Sequence, residues 1–443
     1  MIIFLTFLVL GTAATALGQD SLSLEAAVDE ALRLHPALQE ARSLGDAAEA
    51  RVEQARASRL PGLFFEETFT HSNNPVFAFG KKLEQADFSQ NDFALDALNS
   101  PGALSNFRSS LELRLPVFTR WRIESGIAQA EEGLAVAEAG REWATQQVRF
   151  QVIRRYYRVL LAQAELEVAE QALQTAQGEV SRTRDRFEQG LVVASDLMAM
   201  EVQAAEFEQQ RIQARGGVET ARAALNLALG RPLGERPALS GSLQDRDFQA
   251  GSLQELIAAA LSRRGDVRAA EGQIEISRQD IRKARGDYLP EVGLFAEFGQ
   301  SSRDLSSGSS DFAVGARLTF DLLDFGRSAR ISEASAHREA ARARRQALHD
   351  QVSLAVVRAL QDFQSARQRL EVASQAVQQA EETLRIVQDR HQVGLTDVTE
   401  TLRSQTALVR ARSNQLGARY ALYLGYARLL LESGGLHDTA VFE

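Results

Sequence analysis

Cysteine is absent from all 443 residues. That excludes a disulfide framework, a thiolate metal site, a catalytic thiol and an acylated N-terminal cysteine. Methionine occurs three times, which argues against a methionine-lined copper path. The six histidines (His35, His71, His337, His349, His391 and His437) are scattered, no two of them three or four apart on a helix, so no metal site is expected. Basic residues are outnumbered, 50 Lys and Arg against 59 Asp and Glu, for a net charge of −9 with no segregated basic patch. Nucleic acid is therefore not an expected partner. There is no Walker loop, dinucleotide fingerprint, nucleophile elbow or His-Glu-x-x-His, so neither catalytic residues nor a cofactor are expected. Beyond the N-terminus no apolar run reaches the roughly 20 residues of a helical membrane span.

The N-terminus itself is apolar from Ile2 to Leu10 except for Thr6, small residues follow, and no charge precedes Asp20. This pattern predicts a secretory signal peptide over 1–18, with cleavage after Ala14-Thr15-Ala16 or Ala16-Leu17-Gly18. The leading Lys or Arg of such signals is missing; the other reading is a membrane anchor, for which the run is short.

The chain repeats itself. Leu24-Glu25-Ala26-Ala27-Val28 registers with Leu253-Gln254-Glu255-Leu256-Ile257, and Leu60-Pro61 with Leu289-Pro290, at an offset of 229. Arg186-Phe187-Glu188-Gln189-Gly190-Leu191 registers with Arg390-His391-Gln392-Val393-Gly394-Leu395 at an offset of 204. The difference is mostly one insertion between Pro61 and about residue 116. The predicted organisation is a first repeat over 19–230, a Pro/Gly-rich linker over 231–251, a second repeat over 252–435 and a C-terminal tail over 436–443. Each repeat reads as a helix (23–58; 252–287), a β-hairpin segment (62–118; 291–323), a very long helix (122–189; 326–392), a glycine turn and a last helix (195–229; 397–433).

The long helices carry coiled-coil spacing. Leu166, Ala169, Leu173, Ala176, Val180, Thr183 and Phe187 recur at 3-4 intervals, as do Leu370, Ala373, Val377, Ala380, Leu384, Val387 and His391. Leu402, Val409, Leu416, Tyr423 and Leu430 recur every seven residues. Sixty-odd helical residues extend roughly 100 Å and must lie against neighbours along their length. Gly126, Gly133 and Gly140 are also seven apart. They are either helix weakeners or a face of close helix approach.

The hairpin segments alternate with period two. Phe107, Leu111, Leu113, Leu115 and Val117 oppose Arg108, Ser110, Glu112 and Arg114; Phe312, Val314, Ala316, Leu318 and Phe320 oppose Gly315, Arg317, Thr319 and Asp321. Val292, Leu294, Ala296 and Phe298 form a third stripe, and Leu63, Phe65 and Phe69 a weaker fourth. Such alternation fits either a membrane β-barrel strand or a half-buried soluble sheet. The helices already spend their narrow seams on one another, which leaves little to cover an apolar sheet face. Four strands cannot seal their own edges in lipid, and closed membrane barrels start at about eight. Two copies would supply eight strands and three would supply twelve.

This layout resembles the TolC-like outer-membrane efflux protein family over essentially the whole mature chain. The resemblance is carried by the doubled helix–hairpin–helix plan, by Leu60-Pro61 and Leu289-Pro290 entering the strands, by Pro116-Val117-Phe118 and Phe325-Gly326-Arg327 leaving them, and by the Gly-Leu turns. It implies a mainly α fold with a β-barrel part: a homotrimer with a twelve-stranded barrel in the outer membrane of a Gram-negative bacterium, and a periplasmic α-barrel with an equatorial belt built from the linker and tail. It implies that Gln189, Gly190, Leu191, Val393, Gly394 and Leu395 form a periplasmic tip that docks a periplasmic adaptor protein, itself bound to an inner-membrane pump. Acidic residues after these turns, Asp196, Asp397 and Glu400, would then narrow the pore. The competing reading makes them helix-capping acids, since Asp397-x-x-Glu400 resembles a capping box. The expected function is a passive exit duct of a tripartite efflux pump; a type I secretion duct and a non-transport coiled-coil scaffold are the alternatives. The cargo is set by the pump and is not legible in this chain.

Overall fold

Serine caps open the short leading helix of each repeat. The Ser23 side chain accepts the Ala26 N–H at 3.1 Å, and Ser252 with Glu255 forms a reciprocal capping box. In the computed structural model, which describes residues 21–305 and 307–442, these helices are α1 (Leu24–Leu34) and α7 (Leu253–Arg263). The predicted signal peptide lies outside the described residues. One continuous helix was expected over 23–58 and over 252–287; each is broken in two. His35 is extended at ψ 126°, as a residue before proline prefers, and α2 (Pro36–Ala57) starts afresh. Arg264 breaks the second repeat in the same way before α8 (Gly265–Gly286), without a proline.

The hairpin segments contain β1 (Gly62–Ser72), β2 (Leu104–Thr119), β3 (Glu291–Asp304) and β4 (Ser307–Thr319). They form one antiparallel sheet in the order β1-β2-β3-β4. Between β1 and β2 the insertion folds into α3 (Pro75–Glu84), a 3₁₀ turn at Gln90–Phe93 and α4 (Leu95–Asn99). The very long helices are α5 (Arg122–Glu188, 67 residues) and α9 (Arg327–Gln392, 66 residues), followed by α6 (Ala194–Leu229) and α10 (Val398–Glu432). With four strands and otherwise helices among the described residues, the chain has the mainly α fold expected.

Among the described residues, two compact units cut across the two repeats: residues 21–41, 141–265 and 349–442 form one, and those of 42–140 with 266–348 form the other. In the first unit, Val152, Ile153, Tyr156, Leu225 and Leu429 belong to one buried core. The linker and tail are tied into it. Leu22 bridges Leu239, the buried Phe248 ring stacks on Tyr426 at 4.5 Å, and Tyr157 donates to the Phe442 carbonyl at 2.8 Å. Burial pushes the Tyr423 and Tyr426 phenols up. Arg264 pairs with Glu432 at 2.6 Å, both buried, under the Trp143 ring.

The expected coiled-coil stripes of α5 and α9 are buried or half-buried except at Phe187, which is exposed. Ala169, Leu173, Ala176 and Val377 are buried, and a small core joins Ala172, Leu173 and Ala176 to Phe207. At the start of α10 the seam runs beside the expected one, through Thr401, Gln405 and Leu408, with Leu402 and Val409 half-buried on its flank; further along, Tyr423 of the expected heptad is buried. In the second unit, a Cβ at Gly272 would sit 2.6 Å from Val136, whereas Cβ atoms at Gly126, Gly133 and Gly140 would meet nothing within 4 Å. Among the described residues, helices therefore approach closely at Gly272, and in the first unit at Gly425, where a Cβ would lie 3.2 Å from the Phe363 backbone, rather than along this row within one chain.

Candidate functional site: a two-faced open sheet and the helical turns

The pairing register aligns the four period-two stripes. Phe65 faces Leu111, Leu111 faces Phe298, and Phe298 faces Phe312; Leu113 faces Ala296, which faces Val314. One face carries apolar rows on all four strands, interrupted by the polar row Glu67, Ser109, Gln300 and Ser310, and its apolar side chains are exposed: Phe65 is 71%, Val314 76% and Phe312 80% accessible. The opposite face is charged. Arg108 reaches across two strands to Glu297 at 3.1 Å and Asp311 at 3.0 Å. Arg114 and Arg317 lie over the rings of Phe64 and Phe295, 4.8 Å and 5.5 Å from the centroids. Among the described residues β1 pairs with β2 alone and β4 with β3 alone, so both outer edges present unpaired N–H and C=O groups. At Pro116, which has no N–H to give, the β2–β3 register shifts.

The junction where β2 becomes α5 is strained. Arg120 and Trp121 both have positive φ, 57° and 60°, outside the usual range for residues with a Cβ. Arg120 is held by Asp321 at 2.7 Å, and a Cβ on Gly286 would lie 1.8 Å from its carbonyl oxygen. Where β4 leads to α9, Arg330 bridges Asp324 and Asp287, each at 2.6 Å. The Arg330 hydrogen bond, with the Gly326 N–H, holds the Asp324 carboxyl below the usual carboxylate range.

At the turns, Gly190 and Gly394 have φ of 73° and 76°. Leu191 N–H donates to the Arg186 carbonyl and Gly190 N–H to that of Phe187, both at 2.9 Å; Leu395 and Gly394 do the same to Arg390 and His391 at 2.9 and 3.1 Å. These are Schellman turns, which require a left-handed residue where only glycine is unstrained. Glycines of the same sign recur at Gly230 and Gly434, again 204 apart. In such turns an apolar residue after the glycine often folds back onto its helix. Here it does not: Leu191 is 63% and Leu395 76% exposed, and Gln189, Val393 and Val193 are exposed beside them.

The three acids differ. Asp397 is the N-cap of α10 and accepts the Glu400 N–H at 3.0 Å. Glu400 is exposed, with Arg403 at 3.7 Å as its ion-pair partner, so one half of the expected capping box is formed. Asp196 is half-buried in the first turn of α6, with no ion-pair partner among the described residues. The sequence reading missed the Arg108 network and the strained junction. The first needed the strand register; the second has no glycine to mark it.

A sequence model of the family described as outer membrane efflux protein matches residues 27–231 and 256–435. The chain is similar to the alkaline protease secretion protein AprF of Pseudomonas aeruginosa, 25% identical over 53% of this chain and spanning half of that protein's length. It is similar to outer membrane protein TolC of Escherichia coli K12, 21% identical over 91% of this chain and 80% of TolC. Its fold matches the crystal structure of the Campylobacter jejuni CmeC outer membrane channel with a TM-score of 0.79 at 16% identity, over 94% of this chain and 86% of that one.

Proposed function

Because this chain belongs to the outer membrane efflux protein family, and so is an outer-membrane channel of the TolC type, we propose that three copies close into one duct of a tripartite efflux assembly. The open four-stranded sheet carries this reading. Its exposed face is apolar on every strand, its other face is charged, and both edges are unpaired. Lipid satisfies the first feature and an aqueous lumen the second, while the third demands further copies. Three copies give a twelve-stranded barrel, and their long helices continue as an α-barrel through the periplasm. The chain acts as a passive conduit rather than as an enzyme, with energy supplied by an inner-membrane pump.

The tip lies at the Gly-Leu turns. Leu191 and Leu395 are exposed apolar knobs on rigid caps, suited to the helical hairpin of a periplasmic adaptor. Glu400 stands in the first turn beyond, where symmetry would gather its copies near the axis and narrow the pore. The likeness to AprF supports a second reading, a duct for a secreted polypeptide. A non-transport scaffold is set aside by the family match and the open sheet. Leu395→Asp tests the tip. It should abolish co-purification of the adaptor while the trimer survives; undiminished co-purification would remove adaptor docking from these turns.

A further inference from the structure

The insertion between β1 and β2 has no counterpart in the second hairpin, where β3 and β4 stay paired as far as Asp304 and Ser307. It is a folded element. Asn74 caps α3 by accepting the Phe77 N–H, Pro75 occupies the first helical turn, and the rings of Phe79, Phe88 and Phe93 pack edge to face. Its polar side chains bind residues of one sheet face. Glu84 accepts from Ser301 Oγ at 3.0 Å and lies 3.7 Å from Arg108; Gln85 donates to Asn106 at 2.8 Å; Asp87 pairs with Arg303 at 2.6 Å. Arg108 pairs with Ser301 in the register and opposes the apolar stripe, so these contacts are on the charged face. Ser301 is fully buried beneath them and Asn106 nearly so.

We infer that α3 is a stopper inside the outer mouth of the barrel, held against the wall by Glu84, Gln85 and Asp87. This rests on the closed-barrel reading above, in which the charged face lines the lumen. An element bound to that face at the end of the strands remote from the long helices lies within the outer opening. Twelve strands about 4.8 Å apart and tilted about 40° close at a diameter of roughly 24 Å. Three helices, each about 10 Å across with side chains, cover about half of such a circle. The mouth therefore passes small solutes and excludes bulky ones until the Glu84–Arg108–Ser301 lock is broken.

The natural absence of cysteine makes the test direct, because one introduced thiol is the sole target. Ser110→Cys places it on the charged face beyond the lock, and Leu113→Cys on the apolar face. Whole cells are treated from outside with a bulky polyethylene-glycol maleimide and, separately, with a small polar thiol reagent. In the otherwise unaltered chain Ser110→Cys should react with the small reagent and resist the bulky one. Adding Glu84→Lys, or replacing residues 74–100 by a short turn, should speed the bulky reaction about tenfold or more, as expected when an open state of a tenth or less becomes dominant. Equal bulky-reagent rates with and without these changes would overturn the stopper. A Leu113→Cys thiol as reactive toward the small polar reagent as Ser110→Cys would instead overturn the barrel assignment beneath it.

Discussion

Single residues decide where this chain can bend. At Gly286 a Cβ would fall 1.8 Å from the Arg120 carbonyl, a separation no side chain tolerates. The Arg120–Trp121 pair already holds two positive φ angles at that point. Gly286→Ala should therefore cost about 1–3 kcal/mol, as overpacking does, and lower the midpoint of thermal unfolding of the purified protein. An unchanged midpoint would mean that the junction relaxes freely. Glu400 raises a separate question at the same scale. Asp397 already caps α10, and the Glu400 carboxylate reaches only Arg403. Glu400→Ala should raise single-channel conductance in a planar bilayer if that carboxylate lines the constriction; identical conductance would reduce it to a surface residue of the first turn.

Elements were legible wherever one local rule dominated. The strand stripes followed from period-two alternation, and the pairing register places Leu113, Phe65 and Val314 on the same face as expected. The heptads of α5 and α9 were equally readable, because Leu173, Ala176 and Val377 obey a 3-4 spacing that packing then buries. Other features depended on partners remote in sequence. Nothing local to residues 73–103 announces that Glu84 meets Ser301, more than two hundred residues away, so the placement of α3 was invisible. The break at Arg264 lacks the proline that marks its counterpart at His35. The start of the α10 seam shifted beside its heptad, where Thr401 and Gln405, though polar, occupy buried positions, while Tyr423 of the heptad is buried as expected. The strand faces carry a prediction of their own. Leu113→Arg puts charge on the lipid face, at about 2–4 kcal/mol near the bilayer midplane, and should sharply reduce folded protein in outer-membrane fractions. Normal yield would mean that the two faces are exchanged.

At the scale of the whole molecule, one chain is an unfinished object. Its sheet leaves the outer edges of β1 and β4 unpaired, and its apolar face has no cover among the described residues. Both deficits are met if identical chains join edge to edge, β4 of one to β1 of the next, within lipid. The mass of the detergent-extracted particle, measured by native mass spectrometry, tests this most directly. Three chains per particle are predicted, held together until heated in detergent. A chain that is monomeric and stable in detergent-free buffer would contradict the account.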